Sequence, residues 1–413
     1  MSAPTSHPPR VLITDGHWAK TLAATRSLGK RGIRVTVGES TAIATTFFSR
    51  YCAHRLVYPS PQTHPEAFIT TLIRELKRRP YTMVLPMEER TTLLLARYRE
   101  ELEPLTFLPL TDFASLDRAR RKDEVLKLAG RLGVPAPATV FPQELAEVRD
   151  QLPRLPVPAV IKPRLGSGST GILYVRRRED LWAAYLKAHE RAPLPLIQEY
   201  IPEGGPAVGA SFLFDQDHRP VAHFVHKRLR QYPLTGGPST LRESIADPAV
   251  RELGERILTA LQWYGVAMVE FRYDPRDGLP KLMEINPRFW GSLPLAVYAG
   301  VDFPYLIFRM ARGEALSGPP EYSPGKRCRW LLPGDLLHFF KSPNRLHLDP
   351  GFFRFFEKNT GHDFFSWSDP LPVAGRILTL LTLLYDPDMK RLLRERTGSD
   401  SGAKLIAKKE VID

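Results

Sequence analysis

Two segments late in the chain, Val266-Ala-Met-Val-Glu-Phe-Arg-Tyr273 and Lys281-Leu-Met-Glu-Ile-Asn286, alternate apolar and polar residues around the turn Asp274-Pro-Arg-Asp-Gly-Leu279. That pattern is an antiparallel hairpin with one apolar face. Folded symmetrically about Asp277, it sets Glu270 across from Glu284, with Asn286 on the same face and Val269, Phe271, Met283 and Ile285 on the other. Like charges facing each other across strands cost roughly 0.2–1 kcal/mol unless a cation lies between them. Two carboxylates and an amide oxygen are hard donors of the kind Mg²⁺ accepts. The plain alternative is a solvated strand face whose charges keep the sheet soluble.

About a hundred residues earlier, the apolar run ending in Ile161-Lys162-Pro163 leads into Arg164-Leu-Gly-Ser-Gly-Ser-Thr-Gly171 and then a β-forming stretch, Ile172-Leu-Tyr-Val175. Gly166, Gly168 and Gly171, with Ser167, Ser169 and Thr170 between them, let backbone N–H groups close on an anion beside the Lys162 charge. A mobile turn is the alternative for an isolated glycine run. The context excludes several nucleotide sites. A dinucleotide or Walker loop opens a helix, and the Walker Gly-Lys-Ser/Thr ending is missing. A protein kinase would carry His-Arg-Asp and Asp-Phe-Gly, and neither tripeptide occurs.

The 413 residues call for two or three packed modules. Residues 1–115 read as a small doubly wound unit: strand Val11–Thr14, helix Ala19–Lys30, strand Arg34–Val37, an amphipathic helix Pro65–Arg78 and a strand ending at Val84–Met87. Its first turn, Asp15-Gly-His-Trp-Ala-Lys20, lacks dinucleotide glycine spacing, so NAD and FAD are not assigned. Residues 116–315 hold a basic helix Leu116–Leu132 closed by Gly133. After it come strands Ala159–Lys162, Ile172–Val175, Leu196–Tyr200, Ala210–Phe214 and Val221–Val225, a helix Ala249–Gln262 and the hairpin. Residues 316–413 are an accessory region with the aromatic cluster Phe352–Phe356, an apolar run Gly375–Tyr385 and a basic amphipathic stretch Met389–Arg396.

No run reaches the roughly 18 apolar residues of a membrane span. With two cysteines, Cys52 and Cys328, and no apolar leader at the start, the expected home is a reducing cytoplasm. The net charge of +13 suits nucleic acid, an anionic membrane surface or an anionic small substrate. No RNA module is recognisable, and packing is the expectation for Phe352–Phe356. The apolar and basic C-terminal stretches are expected to pack on the enzyme, with a homodimer contact or peripheral membrane contact as alternatives.

Taken in order, Arg121-Lys122-Asp123, Val160-Ile-Lys-Pro163, Arg164–Gly171, Gln198-Glu-Tyr-Ile201 and Met283-Glu-Ile-Asn-Pro-Arg288 resemble the motifs of the ATP-grasp superfamily. The resemblance implies an α/β protein: an N-terminal βαβ module, an ATP-grasp fold of two subdomains and the C-terminal region. It further implies Lys122 and Lys162 on ATP phosphates and the glycine loop Gly166–Gly171 over them. Gln198, Glu199, Tyr200 and Ile201 would bind the adenine edge, with Glu203 as the ribose ligand. Glu270, Glu284 and Asn286 would hold Mg²⁺, or Mn²⁺ in its place. Arg288 would face the transferring phosphoryl group, and Arg228 or Arg230 an acyl phosphate. Arg242 and Trp290–Ser292 would wall an acceptor pocket.

The implied activity is an ATP- and Mg²⁺-dependent carboxylate–amine ligase acting on small molecules, without nucleic acid. A bicarbonate-activating carboxylase and a non-catalytic nucleotide-binding protein are the alternatives. No biotin-carrier Met-Lys-Met is present.

Overall fold

Fifteen strands in three sheets carry the described part of the chain, which in this computed structural model is residues 8–166, 171–316 and 318–382. The first sheet is parallel, ordered β3-β2-β1-β4, from β1 (Arg10–Ile13), β2 (Arg34–Glu39), β3 (Cys52–Val57) and β4 (Met83–Leu85). Strands buried on both faces read as continuous apolar runs, which is why β1, β2 and β4 are visible in the sequence. β3 is an edge strand and mostly exposed, so its residues carry no apolar pattern. Helices Ala19–Gly29 and Pro65–Arg78 stand where the sequence puts them.

The expected helix Leu116–Leu132 is two helices, Phe113–Arg120 and Lys122–Arg131, broken at Arg121, whose ψ is 108°. The break has a partner: the Lys122 N–H donates to Arg164 O at 2.9 Å, so the second helix starts against the glycine loop. Gly133, at φ 65°, closes it as expected, and Val134 N–H bonds back to Ala129 O.

The second sheet is antiparallel, ordered β5-β8-β6-β7, from β5 (Thr139–Val140), β6 (Ala159–Lys162), β7 (Leu173–Val175) and β8 (Leu196–Glu199). Helix Leu181–Arg191 lies between β7 and β8 and has its own core with them. The run of strands expected here leaves it out, although Leu181, Ala184, Tyr185 and Ala188 carry the helical spacing.

The third sheet runs β13-β12-β9-β10-β11-β14-β15. Its strands are β9 (Ala207–Phe214), β10 (Pro220–Gln231), β11 (Ser239–Ser244), β12 (Gly265–Tyr273), β13 (Pro280–Asn286), β14 (Arg327–Arg329) and β15 (Thr360–His362). One face packs Val208, Ala210, Phe212, Val269 and Phe271 beneath helices that include Pro248–Ala260. On the other, Leu213, Phe224, Val266 and Met268 pack with Phe289, Trp290 and the first sheet's Val11, Val35 and Val37.

The hairpin pairs Glu270 with Glu284 and Met268 with Asn286, the expected register, and then slips by one residue at a bulge so that Phe271 faces Leu282. Leu282, fully buried, therefore takes the core position expected for Met283. A bulge reverses the side-chain alternation beyond it, which no alternation count detects.

The C-terminal expectations divide. Phe352 is buried and stacks on Phe339 at 4.2 Å, but Phe353 and Phe356 are exposed, so packing accounts for part of that cluster. Helix Leu371–Thr382 packs its Gly375 against Phe48. Met389–Arg396 lies outside the described residues. No helix among the described residues is long and apolar enough to cross a membrane.

Candidate active site

Lys162 ends β6 as a buried side chain, and its ammonium is held down to about 8, by burial first and the Lys122 charge next, against the pull of Glu284. Lys122 donates from Nζ to Gly166 O and sits 3.3 Å from Glu284 Oε2. Both lysines thus act on the hairpin's acid, Lys122 by direct contact and Lys162 through its charge. Gly166 (φ 114°) and Gly171 (φ 74°) bound the loop in backbone conformations that favour glycine. Ser167, Gly168, Ser169 and Thr170 fall outside the described residues.

The loop has an anchor the sequence reading overlooked. Arg164 donates to Asp123 Oδ2 at 2.7 Å, to Leu194 O at 2.8 Å and to Pro142 O, tying the loop's first residue to helix Lys122–Arg131. The signal was present in Arg121-Lys122-Asp123, but nothing local says that its acid pairs 41 residues away.

Glu270 and Glu284 face one another in different company. Glu270 accepts from Arg228 Nη2 and, at 3.1 Å, from Asn286 Nδ2; burial raises its carboxyl above the ordinary value, with Arg228 opposing and Glu284 reinforcing. Burial also pushes Glu284 up, but Lys122 and Lys162 together outweigh it and hold the group below the ordinary glutamate value. Glu284 is the firmly ionised member. The donor set of two carboxylates and one amide fits Mg²⁺ with phosphate and water completing its shell, and does not resemble a His/Cys site. Among the described residues no cluster of three or more His, Cys, Asp or Glu stands elsewhere as a rival.

Of the two candidate arginines on β10, Arg228 meets Glu270, whereas Arg230 is buried against Asp335 at 3.2 Å and Pro350 O at 3.2 Å. Arg242 on β11 lies directly across from Arg228, sealed at 1% exposure and bonded to Asp363. It backs the wall expected of it rather than lining it.

Arg288 donates to Phe289 O at 2.9 Å, and its buried Nε meets no hydrogen-bond partner among the described residues. Lys20 of the first module reaches the same carbonyl at 3.0 Å, joining that module to the hairpin motif. Ser292 hydrogen-bonds His226 Nε2 at 3.0 Å. Burial, then Arg228 and Arg242, push His226 down to about 3, so it is a neutral imidazole in the floor of the site.

The Gln198–Glu203 segment runs along the second sheet's edge of the cleft. Gln198 is buried and bonds Thr139, and Tyr200 N–H donates to Pro158 O at 3.1 Å. Ile201 is buried. Glu199 spends its carboxylate on Ala138 N–H at 2.9 Å and on Arg276 at 3.1 Å, a bridge to the hairpin turn that the sequence did not suggest. Glu203 is exposed. The neighbouring Gly205 must lack a side chain, because a Cβ there would lie 1.8 Å from Tyr273 O.

Solved structures share this architecture. A biotin carboxylase-beta-gamma-ATP complex from Campylobacter jejuni superposes at a TM-score of 0.64 with 15% identity, covering 78% of this chain and 74% of that one. An L-amino acid ligase from Bacillus licheniformis gives 0.60 and 19%, covering 78% and 79%. The fold is the ATP-grasp fold.

Within that class, a family model described as "ATP-grasp in the biosynthetic pathway with Ter operon" matches residues 225–332. The D-alanine–D-alanine ligase of Mycobacterium ulcerans (strain Agy99) is 28% identical over 221 residues, 46% of this chain and 56% of that protein. Family model, curated relatives and solved structures all point to the ATP-grasp superfamily. The chain spans between 35% and 56% of the length of the first curated relatives it matches.

Proposed function

We propose that this protein is an ATP- and Mg²⁺-dependent ligase that activates a small-molecule carboxylate as an acyl phosphate and transfers the acyl group to an amine. The observation that supports it is the convergence of Glu270, Glu284 and Asn286 with Lys122 and Lys162 in one cleft. Glu270, Glu284 and Asn286 would hold the metal, which supplies positive charge to the polyphosphate when bound. Lys122 and Lys162 bind and orient the phosphates, and the loop Gly166–Gly171 closes over them. Gln198–Ile201 borders the adenine, and Glu203 remains the ribose candidate of this reading.

The substrate carboxylate oxygen attacks the γ-phosphorus, and the bond to the bridging oxygen breaks with ADP leaving. The amine nitrogen then attacks the acyl carbon, phosphate leaves with the electron pair and the nitrogen gives its proton to solvent. Arg288 and Arg228 neutralise charge on the transferred group, so catalysis is positioning and electrostatics without a covalent enzyme nucleophile. The domain limits 1–115, 116–315 and 316–413 belong to the same reading.

The test is release of ADP and phosphate with amino acids and small carboxylates offered in pairs. Release that needs both an acid and an amine supports the ligase. Release that needs bicarbonate alone moves the protein to the carboxylase class, and nucleotide binding without turnover under any pair refutes both.

A further inference from the structure

Helix Leu371–Thr382 lies on the molecule the wrong way round for an amphipathic helix. The face it buries is small and polar: Gly375 packs on Phe48, Thr379 meets Thr45 Oγ1 at 3.3 Å, and Arg376 lies over the Phe364 ring at 5.0 Å. Its apolar residues point to solvent, with Leu371 at 61% exposure, Ile377 at 47%, Leu378 at 41% and Leu381 at 54%. Trp367, just before the helix, is 82% exposed. A contiguous bare apolar face of this kind marks an interaction surface.

The chemistry of the partner follows from spacing and charge. Leu371, Ala374, Leu378 and Leu381 recur at intervals of three, four and three residues, a seam that fits the groove of another α-helix. The exposed face carries no charge, since the helix's one charged residue, Arg376, is turned inward. Around it, residues 336–382 hold five Lys or Arg against four Asp or Glu, so the chain's excess of positive charge is not gathered here to attract an anionic surface. A closed dimer requires a patch that complements itself, and an uncharged helical seam does so without repulsion.

We propose that this face is where a second copy of the chain docks, the two C-terminal helices packing seam to seam about a twofold axis with Trp367 at the rim. The contact is independent of the ligase chemistry.

Sedimentation of the full chain across about 1 to 100 micromolar, the range that reads micromolar affinities, should give a dimer. Leu378→Glu, at a position 41% exposed on this face, should weaken it by roughly a hundredfold or more, about 2.8 kcal/mol at 1.4 per tenfold. Ala374→Arg, a second surface change, should do the same. A full chain that stays monomeric over this range overturns the proposal, as does a dimer that both variants leave intact. A monomer that gains dimerisation on Leu392→Glu and Leu393→Glu would assign the face to the chain's own tail. A monomer that sediments with phosphatidylserine vesicles, and loses this on Leu378→Glu, would assign it to lipid.

Discussion

Of the facing pairs of like charge on the third sheet, two lie at or behind the site: Glu270 with Glu284 on β12–β13, and Arg228 with Arg242 on β10–β11. The acid pair stays in the cleft, with side-chain exposures of 17% and 21%. In the basic pair one member is sealed, Arg242 at 2%, and given a permanent counter-charge by Asp363 of the C-terminal region. Opposed like charges therefore persist in a sheet by two routes. One leaves them open to a ligand and neighbouring cations. The other closes one of them into the core with a dedicated partner, and that route lends stability instead of chemistry.

The sharpest break of that contrast is Asp363→Ala. Removing one partner of a buried pair leaves an uncompensated charge, so denaturant unfolding should show a loss of about 3–5 kcal/mol. Cys328 also donates to Asp363, at 3.1 Å, and loses its acceptor. A loss under about 1 kcal/mol would mean that Arg242 is solvated and that the pairs are alike after all.

Glu284→Gln comes next. Turnover with Mg-ATP should fall by about 10²–10³, the scale of a lost electrostatic group in a preorganised site. Stability should fall too, because Lys122 and Lys162 lose their shared acid. A carboxyl held below its ordinary value contributes stability that is present above the unfolded pKa and lost on acidification. The melting gap between wild type and Glu284→Gln should therefore close as pH drops below the ordinary glutamate range. Full phosphate release by this variant would remove Glu284 from the site.

Lys162 sharpens the same contrast through pH. With its ammonium held down to about 8, ATP affinity should weaken as pH rises through 8 and the lysine loses its charge. Binding near pH 8 should then take up a proton, visible as calorimetric heats that differ between buffers. Lys162→Ala should weaken ATP binding by about 1–3 kcal/mol and flatten that dependence. A pH-independent affinity in wild type between 7 and 9 would count against the contact.

The smallest effect belongs to Glu270→Gln. Burial already disfavours the charge there, so the fold's stability should change by less than about 1 kcal/mol even though turnover drops. Stability losses of equal size in the two glutamine variants, read by thermal melts, would erase the distinction between the facing acids.

Much of the site was legible because its logic is local. The alternation around Asp277 is enough to pair Glu270 with Glu284, and three glycines after Lys162 announce a loop that needs unusual backbone angles. The Leu282-for-Met283 exchange was not legible, since one extra residue in a strand leaves composition and spacing untouched. Nor was the break at Arg121: the helical pattern continues through it, and only the carbonyl of Arg164 explains why the chain turns there.

By itself the sequence determined the strands that carry an apolar pattern, such as β1, β2, β4, β6 and β12, and the residue types that gather in the cleft, because periodicities of two and 3.6 act over a few residues. Tertiary structure alone decided the partners of the charges in and behind the cleft. Lys122 joined Glu284, Arg228 was chosen over Arg230 for Glu270, and Arg242 was closed off by an acid 121 residues away. A side chain's charge is written in the sequence, but its neighbours and its share of water depend on contacts that exist only once distant segments have packed.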